Sequence, residues 1–165
     1  GQLDPCVILH LLTQESMSPD QISELLYMRC GLLCLSGRSS DMRDLLAALD
    51  PAARAAIDHY IYRIAWYAGA LAACMRGVDA MVFSAGIGEN SPLIRERIVK
   101  ACAWMGVELN VERNATHGPR ISKDGSRVSA WVIPTDEEAM IARHVQRVLE
   151  RGDAQAIRLR ASPKT

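Results

Sequence analysis

The stretch DAMVFSAGIGEN, residues 79–90, decides how the chain is read. Its apolar run is compact and bounded by turn-forming residues, which predicts a short buried strand over 78–83. Two glycines, Gly86 and Gly88, follow one residue apart, with Glu89 and Asn90 behind them. Next comes SPLIRERIV, residues 91–99, where Asn90 or Ser91 can cap a helix and Pro92 suits its first turn. The order is strand, tight glycine loop, helix over 91–103. Such a loop lets backbone N–H groups approach a ligand closely, and the helix start behind it favours an anion. The same glycines would equally serve turn geometry alone, and this stretch by itself leaves both readings open.

Working towards the N-terminus, Asp50 and Pro51 open a long helix that Gly77 ends. Its apolar residues Ile57, Tyr60, Ile61, Ile64, Tyr67 and Ala68 recur at helical spacing. Asp4-Pro5 starts a first helix over about 4–15, and Ser18-Pro19 with Gln21 forms a near capping box for a second through Cys30. Residues 31–39 read as a loop after Gly31, and a short helix begins near Ser40 or Asp41. Towards the C-terminus, residues 107–117 are polar and broken. RISKDGSRVSAWVIP, residues 120–134, reads as a hairpin, with Asp124-Gly125 a type I′ turn signal and Val128, Ala130 and Val132 alternating on one face. Thr135 with Glu138 reads as a capping box for a helix to about Arg151, and 151–165 as a poorly ordered tail. No internal repeat is present. The fold class expected is α/β: helix-rich, with a small, incomplete mixed sheet whose partner strands are missing from the chain.

The 165 residues suffice for one domain with a core, and the 49% of hydrophobic residues is ordinary for a globular protein. Lys plus Arg equals Asp plus Glu, 19 each, which argues against a nucleic-acid or membrane-surface binder. No apolar run has the length of a membrane span, and no secretory signal opens the chain. Gly1 suggests a fragment or a processed chain. Five cysteines without a CxxC pair are expected to be reduced thiols in a cytosolic protein. The four histidines, His10, His59, His117 and His144, show no ligand spacing and are expected in surface or packing roles.

Three constellations could carry chemistry. The first is the glycine loop. The second is Asp41-Met42-Arg43 at a helix start: an Asp there can accept from ribose hydroxyls, and an Arg can stack on a base, although capping and solvation explain both as well. The third is Pro134-Thr135-Asp136-Glu137-Glu138, three acids opening a helix just after a strand. Helix-dipole complementarity accounts for acids there. One carboxylate could also hold Mg²⁺ that carries nucleotide phosphates.

Taken together, DAMVFSAGIGENSPLIRERI, SSDMRDL and VIPTDEEAMIAR resemble, in order and spacing, the acetate kinase family, and GQLDP resembles the segment that follows one of its catalytic arginines. The resemblance covers residues 1 to about 148. It implies the later part of the second of two duplicated ribonuclease H-like (actin-like ATPase) domains, here residues 1–150. By resemblance, Gly86, Ile87, Gly88, Glu89 and Asn90 match the nucleotide-binding loop, Asp41, Met42 and Arg43 the adenosine-contacting segment, and Glu137 the magnesium-associated carboxylate. Ser84 stands where Thr is common and Asp136 where Asn is common; the latter adds charge near the implied metal. The first domain, a catalytic histidine, an aspartate, a second phosphate loop and the transition-state arginine have no counterpart here and are expected upstream of Gly1. No catalytic residue is therefore assigned within the chain.

The resemblance implies reversible ATP-dependent phosphorylation of acetate to acetyl phosphate, with ATP/ADP and Mg²⁺ as cofactors. Its partners would be acetate and ATP, the missing N-terminal part of the enzyme and, at full length, a second copy in a cytoplasmic homodimer. Neither nucleic acid nor membrane is expected. A propionate or butyrate kinase of the same superfamily, a non-catalytic nucleotide-binding module and a plain helical scaffold are the other readings. The isolated chain is expected to be inactive.

Overall fold

The computed structural model describes residues 3–161. α1 (Pro5–Thr13) begins at Asp4, whose side chain accepts from the Cys6 amide, and it buries no residue. α2 (Pro19–Glu24) carries the expected capping box: Gln21 N–H donates to Ser18 Oγ at 3.2 Å, and Ser18 N–H to Gln21 Oε1 at 2.8 Å. It continues as a π-helical turn, Leu25–Arg29. Where a loop was expected, Leu32–Ser36 form a short helix, α3, between Gly31 and Gly37, both at positive φ. α4 (Met42–Ala47) starts at Asp41, and α5 (Pro51–Met75) at Asp50. The end of α5 is turned by Arg76, at φ 61°, together with Gly77.

β1 is Ala80–Phe83, and β2 is Ser129–Val132. They pair in parallel, Ala80 opposite Ser129 and Phe83 opposite Val132, forming the one two-stranded sheet among the described residues. The chain between them makes α6 (Ala85–Asn90), α7 (Pro92–Ala101), a 3₁₀ turn at Ala103–Met105, and α8 (Val111–Ala115). The expected hairpin is only partly formed. Arg120 bridges Trp131 antiparallel, and Ile121 N–H reaches Ala130 O at 2.8 Å. Neither Asp124 nor Gly125 has positive φ, so the turn is not type I′. The turn also docks sideways: Lys123 N–H donates to Glu108 O and Glu108 N–H to Ser126 Oγ, while Ser126 N–H closes the turn onto Lys123 O at 3.2 Å.

α9 runs Glu137–Ala161, ten residues past the expected end. Residues 162–165 of the expected tail lie outside the described residues. One core joins α4, α5, α7 and the two strands through Leu45, Ile57, Ile61, Ile94, Ile98, Val128 and Ala130. Phe83 and Val132, at the carboxyl ends of the strands, are buried in that core. Both chains therefore leave the sheet at one end, where α/β sheets place ligands.

Candidate functional site

The glycines do not sit in a loop. Gly86 and Gly88 lie inside α6, a helix of six residues directly after β1. Glycine disfavours a helix by about 1 kcal/mol relative to alanine, so this turn needs other support. Two side chains give it. Glu89 Oε1 accepts from Ala85 N–H at 2.6 Å, and Asn90 Nδ2 donates to Gly86 O at 2.9 Å. Ala85 itself stands at φ 59°, an unfavourable region for a residue with a Cβ. The two glycines differ. A Cβ on Gly88 would come 3.3 Å from the Phe83 carbonyl carbon, so glycine there lets α6 close onto the end of β1. A Cβ on Gly86 would meet nothing within 4 Å; that side of the helix is open. Next to α6 lies a cavity of about 240 Å³ lined by Tyr60, Ile64, Phe83, Ser84 and Gly88 among others.

The same Glu89 oxygen also accepts from Thr135 N–H at 2.9 Å and Thr135 Oγ1 at 3.0 Å. These bonds bring the glycine segment beside Pro134–Glu138. They also correct the capping expectation: Thr135 is engaged by Glu89, and Asp136 Oδ1 caps α9 by accepting from Ala139 N–H at 2.9 Å. The Thr135 amide and hydroxyl, with the Ala85 amide, hold the Glu89 carboxyl below the usual carboxylate range. Glu137 is exposed at the first residue of α9. Among the described residues no three His, Cys, Asp or Glu side chains converge as a ready-made metal site. The exposed carboxylates of Asp136, Glu137 and Glu138 are hard oxygen donors, the kind of which magnesium takes one or two.

Asp41 and Arg43 are engaged with each other. Asp41 Oδ1 accepts from Arg43 N–H at 2.8 Å, and Arg43 Nη2 donates to Asp41 Oδ2 at 2.6 Å. The guanidinium beside it, then the amide, holds the Asp41 carboxyl at about 2. The Arg43 side chain is 90% exposed, whereas Met42 between them is buried in the core. Among the described residues no hydrogen bond links this segment to α6 or to the start of α9; it is carried on α4, which packs against α5.

Arg95, which sequence reasoning passed over, and His117, expected in a surface or packing role, anchor the far side of α6. Arg95, fully buried, donates from Nη1 to Gly88 O at 2.9 Å and Glu89 O at 2.7 Å. Its Nε reaches Asn114 Oδ1 at 2.7 Å and its Nη2 reaches Asn114 O at 2.7 Å. His117 Nδ1 lies 2.8 Å from Glu89 O. Burial pulls the Arg95 guanidinium below its ordinary pKa. A signal for Arg95 was available: Ile94, Arg95, Ile98 and Val99 share the buried face of α7, so a charge stands in an apolar register.

A family model described as the acetokinase family matches residues 1–143. An acetate kinase of Nitrobacter hamburgensis is 48% identical over 158 residues, which are 96% of this chain and 39% of that protein. Among solved structures, Porphyromonas gingivalis acetate kinase superposes with a TM-score of 0.78 at 39% identity, over 90% of this chain and 39% of that one. A propionate kinase from Francisella tularensis gives a TM-score of 0.76 at 31% identity, over 86% of this chain and 37% of that one. The chain thus spans about two fifths of the length of the relatives it matches.

Proposed function

Because the chain belongs to the acetokinase family, we propose that it forms the nucleotide- and magnesium-binding side of an acetate kinase, which transfers the terminal phosphoryl group of ATP reversibly to acetate. The observation that carries this reading is Glu89, whose carboxylate ties the glycine helix to the Thr135–Glu137 segment at the carboxyl ends of two adjacent parallel strands. In this reading the open side of Gly86 takes the nucleotide, Gly88 sets the closeness of α6 to β1, and Asn90 holds the Gly86 carbonyl. Asp41 and Arg43 exchange part of their mutual pairing for contacts with the adenosine, while Met42 keeps α4 seated in the core. Glu137 holds the metal. Bound magnesium would offset charge between the β- and γ-phosphates. The attacking carboxylate is already anionic and needs no general base, so the task is positioning and charge neutralisation. The cations that orient acetate belong to the other part of the enzyme.

A propionate kinase is the second reading, favoured by the Francisella match; the acyl pocket that separates the two is outside this chain. Five free thiols fit a reducing cytoplasm. The whole enzyme is read as a homodimer, which the exposed apolar side chains Val145, Val148 and Leu149 of α9 support. No helix among the described residues is long and apolar enough to cross a membrane. Calorimetric titration with ADP, with and without magnesium, tests the proposal. Binding that strengthens with magnesium, and loses that gain in Glu137→Ala, is expected. Heat-silent titrations for both would overturn it, and an unchanged magnesium dependence in Glu137→Ala would leave that residue to helix-dipole stabilisation alone.

A further inference from the structure

We propose that Glu89 is the positioning residue that locks the glycine helix and the Thr135–Glu137 segment into one register, and that it does not itself touch the nucleotide. Three observations converge. β1 and β2 are adjacent and parallel, with Phe83 opposite Val132, and Ile133 N–H donates to Phe83 O at 2.9 Å, so their chains leave the sheet side by side. Beyond those residues the ladder ends. Glu89 Oε1 then takes the Ala85 and Thr135 amides, one from each departing chain, and the Thr135 hydroxyl. It replaces the next rung of the sheet with a carboxylate that bridges both.

The chemistry separates this role from ligand contact. The bridging oxygen, Oε1, already accepts three hydrogen bonds and has no capacity left for a ribose hydroxyl, so a nucleotide contact would have to fall on Oε2 alone, where the carboxylate charge repels phosphate. On the α6 side, the Arg95 guanidinium holds the Gly88 and Glu89 carbonyls, so the backbone that carries Glu89 is fixed from beneath. On the α9 side, Thr135 lies two residues from Glu137, and Asp136 between them caps the helix. A displacement of Thr135 therefore displaces Glu137. Resting on the nucleotide and magnesium reading above, the consequence is specific: Glu89 couples the two ligands rather than binding either.

Hydrogen exchange and calorimetry on the 165-residue chain test this. Glu89→Ala should speed exchange of the Ala85 and Thr135 amides together by about tenfold or more, the size of a lost charge-assisted bond, while the amides of β1 stay protected. Glu89→Gln, which keeps an acceptor, should fall between. Metal-free ADP affinity should weaken by a few-fold at most, as α6 loses one of its two supports, whereas the gain from magnesium should drop by about tenfold, a usual magnitude for coupling between sites. Thr135→Val should reproduce part of that loss and add little to Glu89→Ala, as expected of one shared interaction. Equal weakening of ADP with and without magnesium would make Glu89 a nucleotide contact and overturn the proposal. So would a Thr135 amide that stays protected in Glu89→Ala. If the unmodified chain binds no nucleotide, the nucleotide reading fails, and the exchange pattern alone decides whether Glu89 joins the segments.

Discussion

Arg95 is a residue whose cost and use can both be stated. Its side chain is fully buried, and the acceptors described for it are backbone carbonyls and the Asn114 amide oxygen rather than a carboxylate. Removing the guanidinium would strand several buried acceptors at once, each costing about 1–3 kcal/mol. Arg95→Met should therefore destabilise the chain by about 3 kcal/mol or more in chemical denaturation, and Arg95→Lys should recover only part, because an ammonium cannot reproduce the planar fork. A loss under about 1 kcal/mol for Arg95→Met would show that the carbonyls find other donors. Asp41 makes a prediction in pH. Its folded carboxyl titrates at about 2, below the ordinary 3.8, so folding favours the ionised form. Its contribution is fully present above 3.8 and is lost as pH falls through about 2. Carboxyl-carbon NMR should find that low midpoint, and Arg43→Ala should move it up towards 3.8, since the Arg43 side chain is its largest cause. An unmoved midpoint would assign the shift to the amide cap instead.

Helix α6 is the element where stability and binding are expected to oppose each other. Gly86→Ala adds a Cβ into open space and gains about 1 kcal/mol of helix propensity. Melting temperature should rise while ADP affinity falls, because the added methyl occupies the approach to the backbone. A rise in both would remove Gly86 from the ligand side. Gly88→Ala should instead lower the melting temperature, its Cβ pressing on Phe83. The element scale also shows what the sequence could and could not convey. Starts were legible: Asp4, Ser18, Asp41 and Asp50 cap helices as their local chemistry dictates. The long periodic helix α5 and the strand β1 were legible for the same reason, since each follows from a short window. The misreadings at α6, at Thr135 and at the Asp124-Gly125 turn share another cause. In each, a polar group has two possible partners, one nearby in sequence and one 15 to 46 residues away. The distant partner is the one taken, or is added to the local one, and no local pattern encodes that choice. Arg95 was missed likewise, because its partners lie across the fold.

For the whole molecule, the bare faces are the guide. Ile141, Val145, Val148 and Leu149 of α9 recur at helical spacing and are all exposed, and α1 leaves Val7, Leu9 and Leu12 uncovered. Such faces normally meet a partner. The purified chain should scatter light as a species heavier than its 18.1 kDa monomer and should form no acetyl phosphate. Ile141→Glu combined with Val145→Lys should lower the scattered mass; an active, monodisperse monomer would refute the assignment of the acetate-orienting groups to another part of the enzyme. The parallel pairing of β1 with β2 has a further consequence, for how the molecule is made. Ala80 meets Ser129, so 49 residues are translated after β1 appears before its neighbour exists. At about 5–20 residues per second, β1 waits roughly 2–10 s on the ribosome with the backbone edge that β2 will cover still open. During that interval the nascent chain is where it most needs shielding, and slowing elongation between the two strands should lengthen its dependence on chaperones.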